Sequence, residues 1–212
     1  TNLYEFLSGT EEVAARSGPS DHVVMSSRVR LARNLCGRAF PGRSKKAERV
    51  EVFELIHPAV EGLAAMRGGY NESMANLRAR EKQILVERHH ISREHAAKGT
   101  GSGLVLTKDE SACVMINEED HIRMQALLPG FQLKRAWQKI DRIDTSLEKK
   151  LEFAFDETLG YLTACPTNLG TGIRVSAMLH LPGLVLQEQV NQIIQAVTKL
   201  GLAVRGLYGE GT

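Results

Sequence analysis

The amino-acid sequence predicts an α+β fold, an antiparallel β-sheet flanked by α-helices. One observation is a hairpin pattern, in which the apolar runs at residues 104–106 and 112–116 flank the polar turn Lys108-Asp109-Glu110-Ser111. A second is a pair of long amphipathic stretches, at residues 45–66 and after Pro182, with apolar side chains at three- and four-residue intervals. Hairpins interspersed with such helices make one sheet with helices packed on it, and 212 residues suffice for one large domain with a sizeable core.

Each element has its own warrant. Residues 1–20 read as a short helical or frayed lead-in closed by Ser17-Gly18-Pro19-Ser20, ahead of a domain at residues 21–212. Residues 22–27 form a strand that runs into the arginine-dense Arg28-Val29-Arg30-Leu31-Ala32-Arg33. Val50, Phe53, Ile56, Val60 and Leu63 make the helical stripe of residues 45–66, with Pro58 a possible kink. Residues 67–80 read as a mobile connection, residues 83–87 as a short strand and residues 92–102 as loop. A second helix is expected at residues 146–158, since Thr145 and Glu148 have capping-box spacing, Leu147, Leu151 and Phe155 form a stripe, and Gly160 suits the exit. Strands follow at residues 161–164 and 173–181. A third helix carries Leu186, Val190, Ile193, Ile194, Val197 and Leu200 up to Gly201, and residues 202–205 form a last strand before a glycine-rich end. There is no internal repeat and no low-complexity tract.

Composition narrows the class. Hydrophobic residues are 42% and charged residues 25%, ordinary for a soluble globular protein. The net charge of +2 is too small to argue for nucleic acid or an anionic membrane surface. Cys36, Cys113 and Cys165 make no CxxC pair and no even-numbered framework, as expected of free thiols in a reducing compartment. With no apolar leader at the start and no run near the roughly 20 residues that span a bilayer, the expected location is cytoplasmic.

Four constellations carry chemistry. Arg28, Arg30, Arg123, Arg174 and Arg205 sit at strand ends or near glycines, and a planar guanidinium fork suits phosphate. A single arginine is ordinary surface, but strand alternation points Arg28 and Arg30 to one side, away from Val29. Asn117-Glu118-Glu119-Asp120-His121 closes a strand; it reads as a solvated acidic turn or as a general base and anchor for a cationic substrate. It lacks the i,i+4 histidine pair of zinc peptidases, and no metal ligand is assigned. The run from Cys165-Pro166-Thr167-Asn168 through Leu169-Gly170-Thr171-Gly172 leads a glycine loop into a strand bearing Arg174, able to present N–H groups to an anion. It has no Gly-Lys-Ser/Thr ending and so is no P-loop; Cys165 is either a small buried hydrophobe or a thiol activated by neighbouring arginines. Finally, Arg205-Gly206-Leu207-Tyr208-Gly209-Glu210 is a loop that closes over a ligand with Glu210 on it, or a flexible end. Many arginines imply a polyphosphate, and separated carboxylates imply a cationic second substrate.

At these residues the sequence resembles the guanidino kinases, the ATP:guanidino phosphotransferase or phosphagen kinase family. The stretches that carry the resemblance are Ser26-Ser27-Arg28-Val29-Arg30, Asn117 to Arg123, Cys165 to Gly172, and Arg205-Gly206 with Gly209-Glu210, in the family's order. The resemblance implies a role for each position. Arg28, Arg30, Arg123, Arg174 and Arg205 grip the phosphates of ATP, which brings Mg²⁺ held mainly by those phosphates. His89 lies near the adenine, Glu119 binds and deprotonates the guanidinium, Glu210 partners it from the closing loop, and Cys165 is the thiol beside the guanidino group.

Two features point to the bacterial protein-arginine kinases within the family. Only 27 residues precede Arg28, where creatine and arginine kinases carry a helical domain, so the acceptor site is expected to be open enough for a protein. Residues 80–89 and Met115-Ile116 are also similar to that branch, whereas small-substrate kinases usually have tryptophan at the position of Met115. The implied partners are arginine-bearing protein substrates, among them a heat-shock repressor, with a kinase activator protein and a Clp-type protease in the same stress response. The family's catalytic region continues beyond the closing loop, so ending at Thr212 reads as a C-terminal truncation. A chain so truncated is expected to bind ATP weakly or not at all, to aggregate readily and to transfer phosphate far more slowly than a longer one. The rival readings are a free-arginine phosphagen kinase and a non-catalytic module that binds phosphoarginine or nucleotide.

Overall fold

The computed structural model describes residues 2–206. In chain order the elements are α1 (Leu3–Ser8), β1 (Val24–Arg33), α2 (Lys46–Glu61), β2 (Tyr70–Ser73), α3 (Ala79–Glu87), α4 (Arg93–Ala96), β3 (Gly103–Leu106) and β4 (Ala112–Ile116). They continue with β5 (Ile122–Pro129), α5 (Leu133–Glu148), β6 (Phe155–Asp156), β7 (Gly160–Tyr161), β8 (Ile173–Leu179), α6 (Pro182–Leu186) and α7 (Val190–Lys199). Six strands form one sheet in the order β2-β3-β4-β5-β1-β8, every neighbouring pair antiparallel. The expected α+β architecture is the observed one.

The two faces of the sheet have different fates, and alternation decides which residues go where. Val29 and Leu31 of β1 point to the face covered by α2 and α5. There they join Val114, Met124, the α2 residues Val52, Ile56 and Val60, and the α5 stripe Ala136, Ile140, Ile143 and Leu147 in the main core. The opposite face is divided. Over β2, β3 and β4 it carries Tyr70, Leu104, Leu106, Cys113 and Met115, covered by Leu85 of α3 and by Leu3 and Leu7 of α1 in a second core. Over β5, β1 and β8 it carries polar and cationic side chains. Residues 2–16 therefore do not fray from the domain, because Leu3, Leu7 and Val13 are buried in it.

Several expectations fail for identifiable reasons. Residues 83–87 are helical, not a strand: the Glu81 carboxylate accepts the Arg78 N–H at 2.7 Å to start α3, and helical spacing delivers Leu85 to the second core. Strand β2 lies within the presumed connection at residues 67–80, supplying an outer ladder to β3. Within residues 92–102, the Ser92 hydroxyl caps α4 by accepting the His95 N–H at 3.0 Å. The helix expected at residues 146–158 is the tail of α5, which begins at Leu133 and ends at Glu148. Thr145 sits inside that helix instead of capping one, Phe155 lies in β6, and Gly160 opens β7 at φ 78°. Only Gly160–Tyr161 is strand in the region of residues 160–164. The helix after Pro182 breaks into α6 and α7 at Glu188, whose φ is 55°. Residues 202–205 form no strand; Arg205 makes a single bridge. Pro58 is absorbed inside α2 without ending it.

Candidate active site

Residues directly opposite in an antiparallel ladder share a face, and the registers gather the arginines from three adjacent strands. Arg30 lies opposite Arg174 on β8 and opposite Gln125 on β5, while Ala32 lies opposite Arg123. Arg28 is two residues along from Arg30, opposite Ser176, and its Nε donates to Ser176 Oγ at 3.5 Å. Arg30, Arg123, Arg174, Glu119, Asp120 and Asn168 line one concavity on this face.

The electrostatics of this face are set by burial and by like charge among its arginines. Burial, then the charges of Arg28, Arg123 and Arg174, push the Arg30 guanidinium down to about 8. Its Nε is buried and has no hydrogen-bond partner among the described residues. Arg28 is lowered by burial and by Arg123 and Arg174, and Arg174 by burial and by Arg205 and Arg123. A guanidinium keeps its proton near neutrality, so these depressions reflect burial first and crowding of like charge second, and a polyanion would relieve the crowding.

The three consecutive acids divide into three roles. Glu118 is 2% exposed and takes Arg123 Nη1 at 2.7 Å on both carboxylate oxygens. It also accepts Ser92 Oγ at 2.5 Å and the Glu119 N–H at 3.1 Å. Against the opposing effect of burial, this pair holds Glu118 below the usual carboxylate range and Arg123 above its ordinary value. Asp120 is 1% exposed and accepts Asn34 Nδ2 and the Ala164 N–H, each at 2.6 Å, which moors the segment before Cys165 to the β4–β5 turn. Only Glu119 is exposed, and burial, Asp120 and Glu118 together raise its pKa. The turn geometry comes from Asn117, at φ 55°, whose Nδ2 donates to the carbonyls of Arg49 at 2.8 Å and Gly101 at 2.7 Å. His121 is structural: its Nδ1 accepts the Leu35 N–H and its Nε2 donates to the Ala39 carbonyl, both at 3.0 Å, and burial lowers its pKa.

The glycine loop is laid against the end of β1. Gly172 has φ 68°, and a β-carbon there would meet the Ala32 carbonyl oxygen and Arg33 Nη1 at 2.5 Å, so the position requires glycine. Arg33 points to the helical side. Its Nε and Nη2 reach Asp144 of α5 at 3.1 and 2.7 Å, its Nη1 donates to the Ala32 and Thr171 carbonyls at 2.9 Å, and its guanidinium carbon lies 3.6 Å from the Tyr161 ring centroid. One buried cation thus joins β1, α5, β7 and the loop. Cys165 is half-buried at the start of that loop, within hydrogen-bond distance of Thr167 Oγ1 at 3.0 Å and within electrostatic reach of Arg174.

His89 stands beside Arg28, whose charge adds to burial in lowering its pKa. Arg205 is exposed, and its charge bears on Arg174. Thus Arg28, Arg30, Arg123, Arg174, Arg205, Glu119, Cys165 and His89 all belong to one neighbourhood. Glu210 lies outside the described residues. Sequence reasoning did not single out Glu118, Asp120 or Gln125. The run of three acids was visible, but which one faces solvent depends on the turn.

The fold and this face define a guanidino phosphotransferase core. A family model described as ATP:guanido phosphotransferase, C-terminal catalytic domain, matches residues 51–212, and the chain belongs to that family. A protein-arginine kinase of Pelotomaculum thermopropionicum is 48% identical over 198 residues, which are 92% of this chain and 56% of that protein. One of Moorella thermoacetica is 48% identical over 199 residues, 92% of this chain and 57% of that protein. The chain therefore spans little more than half the length of the curated relatives it matches. Among solved structures, the duplicated taurocyamine kinase of Schistosoma mansoni with bound transition-state-analogue components superposes with a TM-score of 0.80 at 26% identity, covering 100% of this chain and 30% of that one. Lombricine kinase superposes with a TM-score of 0.75 at 26% identity, covering 96% of this chain and 60% of that one. Among the described residues no helix is long and apolar enough to cross a membrane.

Proposed function

We propose that this chain carries the phosphoryl-transfer site of a protein-arginine kinase, which moves the γ-phosphate of ATP to a guanidino nitrogen of arginine side chains in proteins. The observation that supports it best is the imbalance of charge on the open face. Five arginines converge there, and only Arg123 has a carboxylate partner within ion-pair distance among the described residues.

Arg28, Arg30, Arg174 and Arg205 bind the phosphate chain, and Arg123, held by Glu118, presents its remaining donors to the phosphoryl oxygens. Glu119 binds the incoming guanidinium and accepts its proton as the N–P bond forms, since a guanidinium with a pKa above about 12 is a poor nucleophile. Cys165 borders the guanidino group, and Glu210 is the partner carboxylate to Glu119 in binding it. Among the described residues no group of three or more His, Cys, Asp or Glu side chains could hold a metal ion. Of the acids near the face, Glu118 and Asp120 are already bonded. Mg²⁺ carried in on the phosphate oxygens would screen the charge of the transferring group. Alignment and charge stabilisation then supply most of the rate. The relatives' name extends the reading to arginine-bearing protein substrates, and the family resemblance to a cytoplasmic setting, a heat-shock repressor, an activator protein and a Clp-type protease. In the same reading residues 21–212 are the catalytic domain and residues 1–20 a lead-in to it.

The test is incubation with ATP, Mg²⁺, free arginine and a model protein, followed by locating the phosphate. Acid-labile phosphate on protein arginine is expected; rapid turnover of free arginine with the protein unmodified would overturn the acceptor assignment. The pH profile offers a second check. Glu119 must be ionised to accept a proton and its pKa is raised. The rate should therefore fall as pH drops through a value above the ordinary glutamate pKa of about 4.3. An acid limb at or below that value would remove Glu119 as the base. Arg174→Ala should weaken ATP binding about 10- to 100-fold, the scale of a lost charge-assisted hydrogen bond of about 1.5–3 kcal/mol. Unchanged affinity by calorimetry would take Arg174 out of the phosphate site.

A further inference from the structure

Arg88, His89 and His90 cross the border between the second core and the arginine face, and a set of buried groups with no part in phosphoryl transfer holds them there. Glu110, in the β3–β4 turn, has a side chain that is 0% exposed. It accepts Arg88 Nη1 at 2.8 and 3.0 Å, His90 Nε2 at 2.6 Å, and the hydroxyl of Thr10. From β5, the buried Gln125 donates its Nε2 to the His89 carbonyl at 2.6 Å and the His90 carbonyl at 3.1 Å. The Cys113 thiol adds a contact to the His90 carbonyl at 3.0 Å. Both neighbours of His89 are thus anchored by their side chains, and its own carbonyl is pinned from the sheet.

The backbone is consistent with such a clamp. His89 has φ 61° and Glu110 has φ 57°, left-handed conformations that persist in non-glycine residues where surroundings over-determine them. Gln125 faces Arg30 across the β5–β1 ladder, so the clamp and the phosphate grip share one strand pair. A fully buried carboxylate thus gathers three donor residues from two segments distant in sequence, residues 88–90 and Thr10.

We infer that Glu110 and Gln125 are positioning residues for the nucleoside part of ATP, fixing His89 beside Arg28 so that its ring meets the base. Through Thr10, the N-terminal segment contributes to nucleotide affinity. This rests on the arginine face being the site for the phosphates of ATP and on the place beside the adenine that the family resemblance implies for His89.

The test compares Mg·ATP with Mg·tripolyphosphate, which has the phosphate chain and no base, by calorimetry on the protein extended to the full length of its relatives. Wild type should bind ATP more tightly. Glu110→Gln and Gln125→Leu should each weaken ATP about tenfold, one contact's worth, and leave tripolyphosphate within about twofold. His89→Ala should do the same, and combining it with Glu110→Gln should add nothing, because both changes remove one contact. Thr10→Val, a gentler change at the surface of the cluster, should weaken ATP alone by about two- to threefold, a few tenths of a kcal/mol; it decides the matter if Glu110→Gln does not fold. Equal losses on ATP and tripolyphosphate, or additive losses in the double variant, would show that Glu110 only supports the fold and would overturn the inference. Wild type that binds both ligands equally would overturn it too, leaving the phosphate site standing. Wild type that binds neither would overturn the phosphate site and the inference together.

Discussion

Glu119→Gln should slow phosphoryl transfer by at least about 10²-fold, the lower end for loss of a general base, while ATP affinity stays within a few-fold of wild type. The two readouts separate because of where the three acids of the β4–β5 turn point. Glu118 is consumed by Arg123 and Asp120 by Asn34 and the Ala164 N–H, so each supports structure. Glu119 alone is exposed, with a pKa raised by burial and by its two acidic neighbours. A raised pKa makes a carboxylate a stronger proton acceptor, as a guanidinium demands. Replacing it with an amide keeps shape and removes basicity. Since Glu119 repels phosphate, its loss should not weaken ATP. The check is a phosphoarginine assay on the variant beside calorimetry with ATP. Near-normal transfer would make the acidic turn a solvated surface feature and leave the reaction without a base.

Asp144→Asn should destabilise the protein by about 3–5 kcal/mol, the range for removing one partner of a buried ion pair. For a chain of this size that is a fall in melting temperature of about 6–20 °C. Arg33 and Asp144 side chains are 4% and 11% exposed, and the variant strands a buried guanidinium opposite a neutral amide. Arg33 also holds the Thr171 carbonyl, next to the Gly172 that packs on β1. The same variant should therefore lower transfer at temperatures where it remains folded, through a loosened loop 165–172. A melting temperature within a degree or two of wild type would show that the pair is dispensable. Arg33→Met with Asp144→Leu should recover much of the lost stability, since well-packed apolar replacements for a buried pair are often neutral or better.

How much of this was legible beforehand varies with the range of the forces involved. Local signals sufficed for the β3–β4 hairpin, where a polar turn separates two apolar runs. They sufficed also for β1, where alternation alone put Val29 and Leu31 on one face and Arg28 and Arg30 on the other. The helix stripe of α2 was readable because 3.6-residue periodicity survives any neighbour. Local signals misled at residues 83–87, an apolar triplet too short to distinguish strand from helix until the second core claims Leu85. They misled again at Thr145 and Glu148, a capping pattern that α5 overrides by starting at Leu133 and burying Ala136, Ile140, Ile143 and Leu147.

For the site, the sequence by itself determined the inventory: the residue types, their order and the family to which the motifs belong. Tertiary structure alone decided which of three adjacent acids is the free one, because burial and pairing separate Glu118 and Asp120 from Glu119. It alone showed that Arg33, in the same run as Arg28 and Arg30, is a buried tie to Asp144, for alternation puts it on the helical face and only packing supplies its partner. And it alone brought Thr10, Arg88 and His90 onto Glu110, contacts across 100, 22 and 20 residues that no periodicity can announce. The physical reason is common to all three. Side-chain direction follows from local backbone geometry, but the energy of a charge depends on what else is buried beside it.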